Sequence, residues 1–514
     1  MNVNDEGRNP VKGPRKQVIL TALIWLLPLA ALLLSLSLVP YQVDDAYITY
    51  RYAQNFAAGE GLVYNPGEAA SEGFTSPLWF LLLSLGAKLA PMELLPFFST
   101  ALGVLAYLGL LLVMARSSRA EHQVVRLLGM LALALWPGLV FYASTGLETL
   151  LFVLCVVVFQ CAALELMPRK LGLAAAFLSI WIRPEGGWLI VALLLSFLPF
   201  GELRRQLFSK RIVCQVTALI AGGALLTGMR WLLFADIFPN TFYAKLPDYL
   251  EGLNYVKGFI LSWPGMMLTA LALLGALLGE LRQRSFFLAA LAWMVAPVLE
   301  GGDWMPHDRF LLPAVVFLVL AALGAAHAPQ KFRRRGAGAL ALVLAGLLGW
   351  QDLAIVRRVQ FSYDRSVMRE MWIAKWAGEN GVASLASVDI GVLGYYSGAK
   401  IIDVVGLTDR RIARSAGGHL GKQFNLDYVF AGGKPDCLIL RSTIRPVIES
   451  GHLMRGRPGS EIERRLFFDQ RLLTDYRLAL SLEVENDPRQ SKLLFLRKGH
   501  PLARKLAAVS RIVF

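Results

Sequence analysis

The chain has 514 residues, of which 56% are hydrophobic and only 17% charged, and its mean hydropathy is +0.51. A soluble globular protein of this length carries more charge and shorter apolar runs, so a soluble enzyme or binding module is excluded. The net charge of +15 comes from short clusters between apolar segments, "RRQLFSKR" (Arg204–Arg211), "ELRQR" (Glu280–Arg284) and "KFRRR" (Lys331–Arg335), which read as cytoplasmic loops, with no nucleic-acid signature.

Residues 1–17 form a tail with Arg8, Lys12, Arg15 and Lys16, and the positive-inside rule places it in the cytoplasm. The first apolar run, Val18–Val39, has a core of about 20 residues, longer than the ~7–15 of a cleaved signal peptide, and reads as a retained anchor. Crossing it delivers the first outer loop, residues 40–76, with Asp44 and Asp45 directly beyond the span. Asp45–Phe56 ("DAYITYRYAQNF") has helical spacing, with Tyr47, Ile48, Tyr52 and Phe56 on one apolar face and Gly59 as its stop. Such a helix is expected to lie along the membrane surface, with Asp44 as N-cap and Asp45 in the first turn. A helix N-terminus favours the ionised carboxylate, and one facing outward is a ready general base. The competing reading is that both aspartates only cap the helix, although one would suffice.

Further apolar segments follow at Leu78–Leu89, Leu95–Met114, Leu127–Tyr142, Leu147–Leu164, Leu171–Ile182, Gly187–Pro199, Val213–Ala235, Phe310–Ala326 and Gly336–Val356. The basic loop Arg116–Arg126 prefers the cytoplasm. Either one middle segment does not cross, therefore, or Leu171–Pro199 is a single helix interrupted at Pro184, and the total is odd, about eleven spans. Alternation puts Asp44–Ser76, Asp236–Gly258 and Glu300–Arg309 on the same outer face. There "GGDWMPHDRF" gathers Asp303, His307, Asp308 and Arg309 at a span entrance, which suits an anion or a sugar. "FPNTFYAK" offers Asn240, Thr241 and Lys245, with Lys245 as an interfacial snorkel the alternative. "STGLET" and "IRPEGG" set Glu148, Arg183 and Glu185 at or within apolar segments, where Arg183 and Glu185 either neutralise each other or touch a ligand. The four cysteines show no zinc-ligand spacing.

Past Val356 the apolar runs end. Residues 357–514 carry strand-like stretches, "VASLASV" (Val382–Val388), "KIIDVV" (Lys400–Val405), "DCLILR" (Asp436–Arg441) and "KLLFLRK" (Lys492–Lys498), with a helical pattern over Ser366–Ala377. The fold class expected is a polytopic α-helical membrane protein, residues 18–356, with a small C-terminal extracytoplasmic α/β domain. One reaction uses these parts together. A carboxylate takes the proton of an acceptor hydroxyl, which attacks the anomeric carbon of a lipid-carried sugar, while cationic side chains steady the departing phosphate.

The motifs "DDAYITYRYAQNFAAGEGLVYNPGE…SEGFTSPLW", "TGLET", "RPEG", "FPNTFYAK", "GGDWMPHDRFLLP" and "DIGVLGYYSGAKIIDVVGLTD" (Asp389–Asp409) resemble the GT-C superfamily of polyprenyl-phosphate-sugar-dependent glycosyltransferases. Within it they look most like the family of the mycobacterial terminal arabinofuranosyltransferase, from Asp44 to about Asp409. The resemblance implies an inverting, multi-pass enzyme of the inner (plasma) membrane whose active site and C-terminal domain are extracytoplasmic. It implies a base supplied by the Asp44/Asp45 pair; superfamily habit favours Asp44, whereas Asp45 serves if Asp44 is a cap. Arg309, His307 and Lys245 are implied near the donor phosphate, with Asp303, Asp308, Asn240, Arg51, Glu148, Arg183 and Glu185 in the donor site. The implied partners are a polyprenyl-phosphate sugar, arabinofuranose being favoured over mannose or another hexose, a glycan, lipid or protein acceptor, and membrane lipid. No cofactor or metal is expected, because a phosphate-linked donor has less charge to neutralise than a diphosphate. A transporter or flippase of lipid-linked sugar is the rival class, but the matched inverted halves it would normally show are not seen; a catalytically dead relative that binds lipid-linked sugar is a third.

Overall fold

Long runs dominated by apolar residues make Met92–Ser117 and Lys210–Phe234 the two helices, among the described residues of the computed structural model, that are long and apolar enough to cross a membrane. The structure describes residues 42–118, 123–327, 353–444, 447–449, 452–484, 487–505 and 510–513, with isolated positions before residue 34. The basic tail, nearly all of the expected spans Val18–Val39 and Gly336–Val356, and the Lys331–Arg335 loop lie outside them.

Two helix pairs are apolar enough to span together but are bent at a short break. Gln123–Ala134 meets Pro137–Ser144 at 51°, and Tyr249–Leu261 meets Trp263–Leu278 at 76°. Pro137 and Pro264 open the second helix of each pair, where a missing N–H costs nothing but the preceding helix cannot continue. Shorter apolar helices run over Pro77–Leu89, Thr149–Ala163, Pro184–Phe197 and Arg309–Ala325. The described residues thus hold two to four spans by length and composition, and the expected total of about eleven is not reached among them. The chain does break at Pro184: helix Arg169–Ile182 gives way to a 3-10 turn, Pro184–Gly187, before Trp188–Phe197.

The C-terminal region carries β1 (Ser384–Ser387), β2 (Lys400–Asp403), β3 (Cys437–Ser442), β4 (Val447–Glu449), β5 (His452–Arg455), β6 (Tyr476–Val484), β7 (Asp487–Arg497) and β8 (Ser510–Val513). Six form one mixed sheet in the order β2-β1-β3-β7-β6-β8, while β4 and β5 pair separately. The four strand-like stretches named above fall on β1, β2, β3 and β7. The structure adds β6, whose Leu478, Leu480 and Leu482 alternate with Arg477, Ala479, Ser481 and Glu483.

The Asp44–Ala57 helix positions everything else. An amphipathic helix on the membrane surface would leave one side wet, but seven residues between Ala46 and Ala53 are buried, covering the whole circumference. One reason is Arg51. Its guanidinium donates to Tyr64 O (2.6 Å), Gly394 O (2.5 Å), Asn65 Oδ1 (3.0 Å) and Ala399 O (2.9 Å), and it stacks 4.6 Å from the Tyr64 ring. Asn65 pairs with both the N–H and C=O of Ile401 (3.0 and 2.8 Å), and Tyr64 Oη donates to Ile390 O (2.6 Å). These bonds fasten the segment around Arg51–Asn65 to the C-terminal domain.

Candidate active site

The two aspartates part company in space. The helix starts at Asp44 with Val43 as N-cap, and no side chain caps it, so the expected capping role of Asp44 is corrected. Its carboxylate instead caps a different helix, Gly391–Ser397, accepting from Gly391 N at 3.0 Å and Val392 N at 2.8 Å. The fit is close: a Cβ on Gly391 would stand 2.7 Å from the Asp44 carbonyl carbon. Burial and the neighbouring Asp389 push the Asp44 carboxyl up to about 7, against the pull of the Val392 N–H. Asp389 repels because it stays ionised. Its own burial is outweighed by Lys492 at 2.9 Å and by Arg441, which hold it well below the usual carboxylate range.

Asp45 accepts no hydrogen bond from the described residues. Burial raises its pKa; Lys245 and Arg309 oppose that, and Asp303 and Asp389 add to it. Two cations and two anions from three other segments of the chain are therefore within electrostatic reach of the Asp45 carboxylate. The backbone fixes its place, because Val43 N donates to Thr145 O at 3.2 Å, beside Glu148.

The Gly301–Phe310 turn is built around an ion pair. Asp303 receives Arg309 through both oxygens, at 2.7 and 3.0 Å, and the guanidinium lies 4.8 Å from the Phe310 ring. Tyr142 Oη donates to Pro306 O (2.7 Å), pinning the turn to Pro137–Ser144. His307 and Asp308 hold φ of +63° and +53°, a left-handed geometry uncommon outside glycine. The His307 ring packs 4.9 Å from Phe141, and burial lowers its pKa to about 4, so it is neutral at physiological pH and adds no positive charge. Asp308 is raised to about 6 by burial and by Asp303.

Arg183 bonds Glu148 at 2.7 Å and Glu185 at 2.5 Å, and stacks 5.0 Å from Phe310 on the ring that Arg309 also touches. The neutralising partner foreseen for Arg183 is there, joined by a second carboxylate. Lys245 forms no ion pair among the described residues. Arg51 and Asn240 have another use: the Asn240 amide donates to Gly406 O (2.8 Å) and Leu407 O (2.9 Å), tying the "FPNTFYAK" loop to the C-terminal domain. Three residues not singled out from sequence, Thr149, Trp293 and Glu300, line one cavity with Arg183, Glu185 and Arg309. Each lies in a largely apolar helix, where an isolated Thr, Trp or Glu is too common to stand out. Among the described residues no group of three His, Cys, Asp or Glu side chains could hold a metal ion.

A family model described as a domain of unknown function (DUF8728) matches residues 356–493. Over 341 residues the chain is 29% identical to the terminal beta-(1->2)-arabinofuranosyltransferase of Mycobacterium tuberculosis, a match covering 55% of this chain and 52% of that protein, about half its length. Among solved structures it is similar to ArnT from Cupriavidus metallidurans in the apo state, with a TM-score of 0.59, 12% identity, and 93% of this chain and 98% of that one covered. It is also similar to the Archaeoglobus fulgidus oligosaccharyltransferase, with a TM-score of 0.52, 13% identity, and 88% and 78% covered. The resemblance read from the motifs is thus met independently in sequence and in shape, and the chain has a GT-C-like fold: a helical membrane module carrying a small C-terminal mixed sheet.

Proposed function

We propose that the chain is a glycosyltransferase of the outer membrane face that moves a sugar from a polyprenyl phosphate to an acceptor hydroxyl, with Asp45 as general base. The fold and the arabinofuranosyltransferase relative support the reaction class, and that relative favours arabinofuranose over a hexose. The observation that carries the base assignment is the contrast within the pair. Both oxygens of Asp44 are engaged by backbone N–H groups, whereas Asp45 is free and faces Lys245 and Arg309.

In this reading Asp45 takes the proton of the acceptor hydroxyl as its oxygen bonds to the anomeric carbon. The bond from that carbon to the phosphate oxygen breaks, and the electron pair leaves on polyprenyl phosphate. Lys245, unpaired among the described residues, meets the growing phosphate charge, and Arg309 acts from behind its Asp303 clamp. Configuration inverts once. The about eleven spans, the extracytoplasmic site and the absence of a metal requirement belong to the same proposal. The test supplies purified protein with labelled polyprenyl-phospho-arabinofuranose and an acceptor hydroxyl, and measures release of polyprenyl phosphate. Release that persists in Asp45→Asn removes the base assignment; a wild-type protein that moves the lipid across a bilayer without releasing it is a transporter.

A further inference from the structure

The span Lys210–Phe234 has 25 residues and is about 37 Å long, against a hydrocarbon core of ~30 Å. With Lys210 and Arg211 anchoring its start, its last turn reaches the opposite headgroup layer, where Arg230 pairs with Glu72 at 2.8 Å. Trp231 and Leu232 are 63% and 85% exposed there, and Phe238 and Phe242, stacked 4.4 Å apart, are exposed just beyond. An exposed Trp at this depth belongs to the aromatic belt that faces lipid.

The C-terminal domain meets this edge with three arginines. Arg410 donates to Phe234 O (2.8 Å), at the end of the span, and to Asp236 (3.1 Å). Arg414 bonds the same carboxylate and lies 4.2 Å from the Tyr243 ring, while Tyr243 Oη donates to Asp236 at 2.7 Å. One carboxylate thus serves two guanidiniums and a phenol. Arg411 is exposed, lies 5.0 Å from the Tyr428 ring and has no carboxylate partner among the described residues. Asp409 is occupied by the Arg411 and Ile412 N–H groups and by Tyr428 Oη (2.9, 2.9 and 2.6 Å). Beneath them Lys422, 1% exposed, donates to the carbonyls of Tyr243, Ala413 and Ser415. Four cations therefore meet two carboxylates at headgroup depth, and the described residues offer no further acid to balance them.

We propose that this face binds the headgroup of an anionic phospholipid of the surrounding leaflet, its phosphate on Arg411 and Arg414 and its acyl chains along Trp231, Leu232 and Phe242. The charge excess selects an anion, and the apolar rim selects one that carries a lipid tail. Through Arg414, which reaches Asn240 Oδ1 at 3.5 Å, the lipid braces the loop that carries Lys245. The inference needs only the membrane placement of the span, and it stands whether or not the chain transfers a sugar.

The experiment follows hydrogen exchange over residues 409–418 of the full chain, in nanodiscs of phosphatidylcholine alone or mixed with phosphatidylglycerol. Phosphatidylglycerol is expected to slow that exchange about fivefold for each arginine it engages; Arg411→Gln should remove one such factor and Arg411→Lys should keep it. Wild-type exchange in the C-terminal sheet shows that each variant is folded. Equal exchange in the two bilayers, or full slowing in Arg411→Gln, leaves a merely solvated arginine face and overturns the proposal. Slowing by glycerol phosphate added to phosphatidylcholine nanodiscs makes this a site for small anions and overturns it too. Slowing by polyprenyl phosphate but not by phosphatidylglycerol gives the face to the donor, with the same consequence.

Discussion

Two buried polar regions lie close together in this molecule and are built on opposite rules. At the seam between the first outer loop and the C-terminal domain, Asp44, Arg51, Asn65 and Tyr64 are hydrogen-bonded mostly to backbone. At the helix ends near Asp45, a carboxylate, a hydroxyl and an indole N–H stand buried and unpaired, and Asp45 and Lys245 have no direct partner among the described residues. The first arrangement stabilises a contact, since each buried bond contributes about 1 kcal/mol and a lost partner costs about 1–3 kcal/mol. The second costs stability, because a buried polar group without a partner keeps its desolvation penalty.

The largest expected effect comes from Asp45. Asp45→Asn is expected to cut turnover about a thousandfold while donor binding stays intact, the magnitude of a lost general base. An equal loss in Asp44→Asn, with the outer domain still docked, would reverse the assignment within the pair.

Arg51→Ala should come next, as a loss of stability. It strands buried carbonyls at Tyr64, Gly394 and Ala399, at about 3–5 kcal/mol. Arg51→Lys should recover little, because an ammonium lacks the planar fork. Thermal inactivation and limited proteolysis of the C-terminal domain would read this out. If the domain is as resistant as in wild type, the seam is not what holds it.

Asp44→Ala should be milder, about 2–3 kcal/mol, seen as faster hydrogen exchange at the Gly391 and Val392 amides. Gly391→Ala offers a charge-neutral check, since its methyl would press on the Asp44 backbone. Both variants should keep far more turnover than Asp45→Asn.

The pH dependence separates the two acids by sign. Asp45 works ionised and its pKa is raised, so activity should fall on acidification at a pH above the ordinary carboxylate range, a limb that Asp45→Asn lacks. Asp44 has a folded value of about 7 against the ordinary 3.8, so its contribution to stability is present at low pH and is lost as pH rises through about 7. Protease resistance of the seam should therefore decline from about pH 4 to about pH 7 and level off above it, and the decline should vanish in Asp44→Asn. The smallest effect is reserved for His307. Neutral and packed on Phe141, it should change donor affinity less than about threefold when replaced by Asn, because no ionic contact is lost.

Much of this was legible in the residues. The apolar runs, the Pro184 break, the strand stretches of β1, β2, β3 and β7, and the Arg183 pairing all follow from local pattern. So does the helix that ends just before Gly59, whose φ is +87°. The burial of Asp44–Ala57 on all sides was not legible, because a helix's second face is covered by segments more than 300 residues away, Ile390 and Ala399 among them. Nor was the use of Asn240, whose partners Gly406 and Leu407 are backbone carbonyls that carry no sequence signature.

By itself, the sequence determined what the chain is made to do in bulk. Its hydropathy requires a membrane, and its acidic and basic residues sit at helix ends, where charge is least costly. Only the tertiary structure decided which of two identical, adjacent side chains is held by backbone hydrogen bonds. A helix turns about 100° per residue, so neighbours point to different surroundings, and only the folded chain sets the Gly391 and Val392 amides against one carboxylate and leaves the other without a hydrogen-bond donor among the described residues.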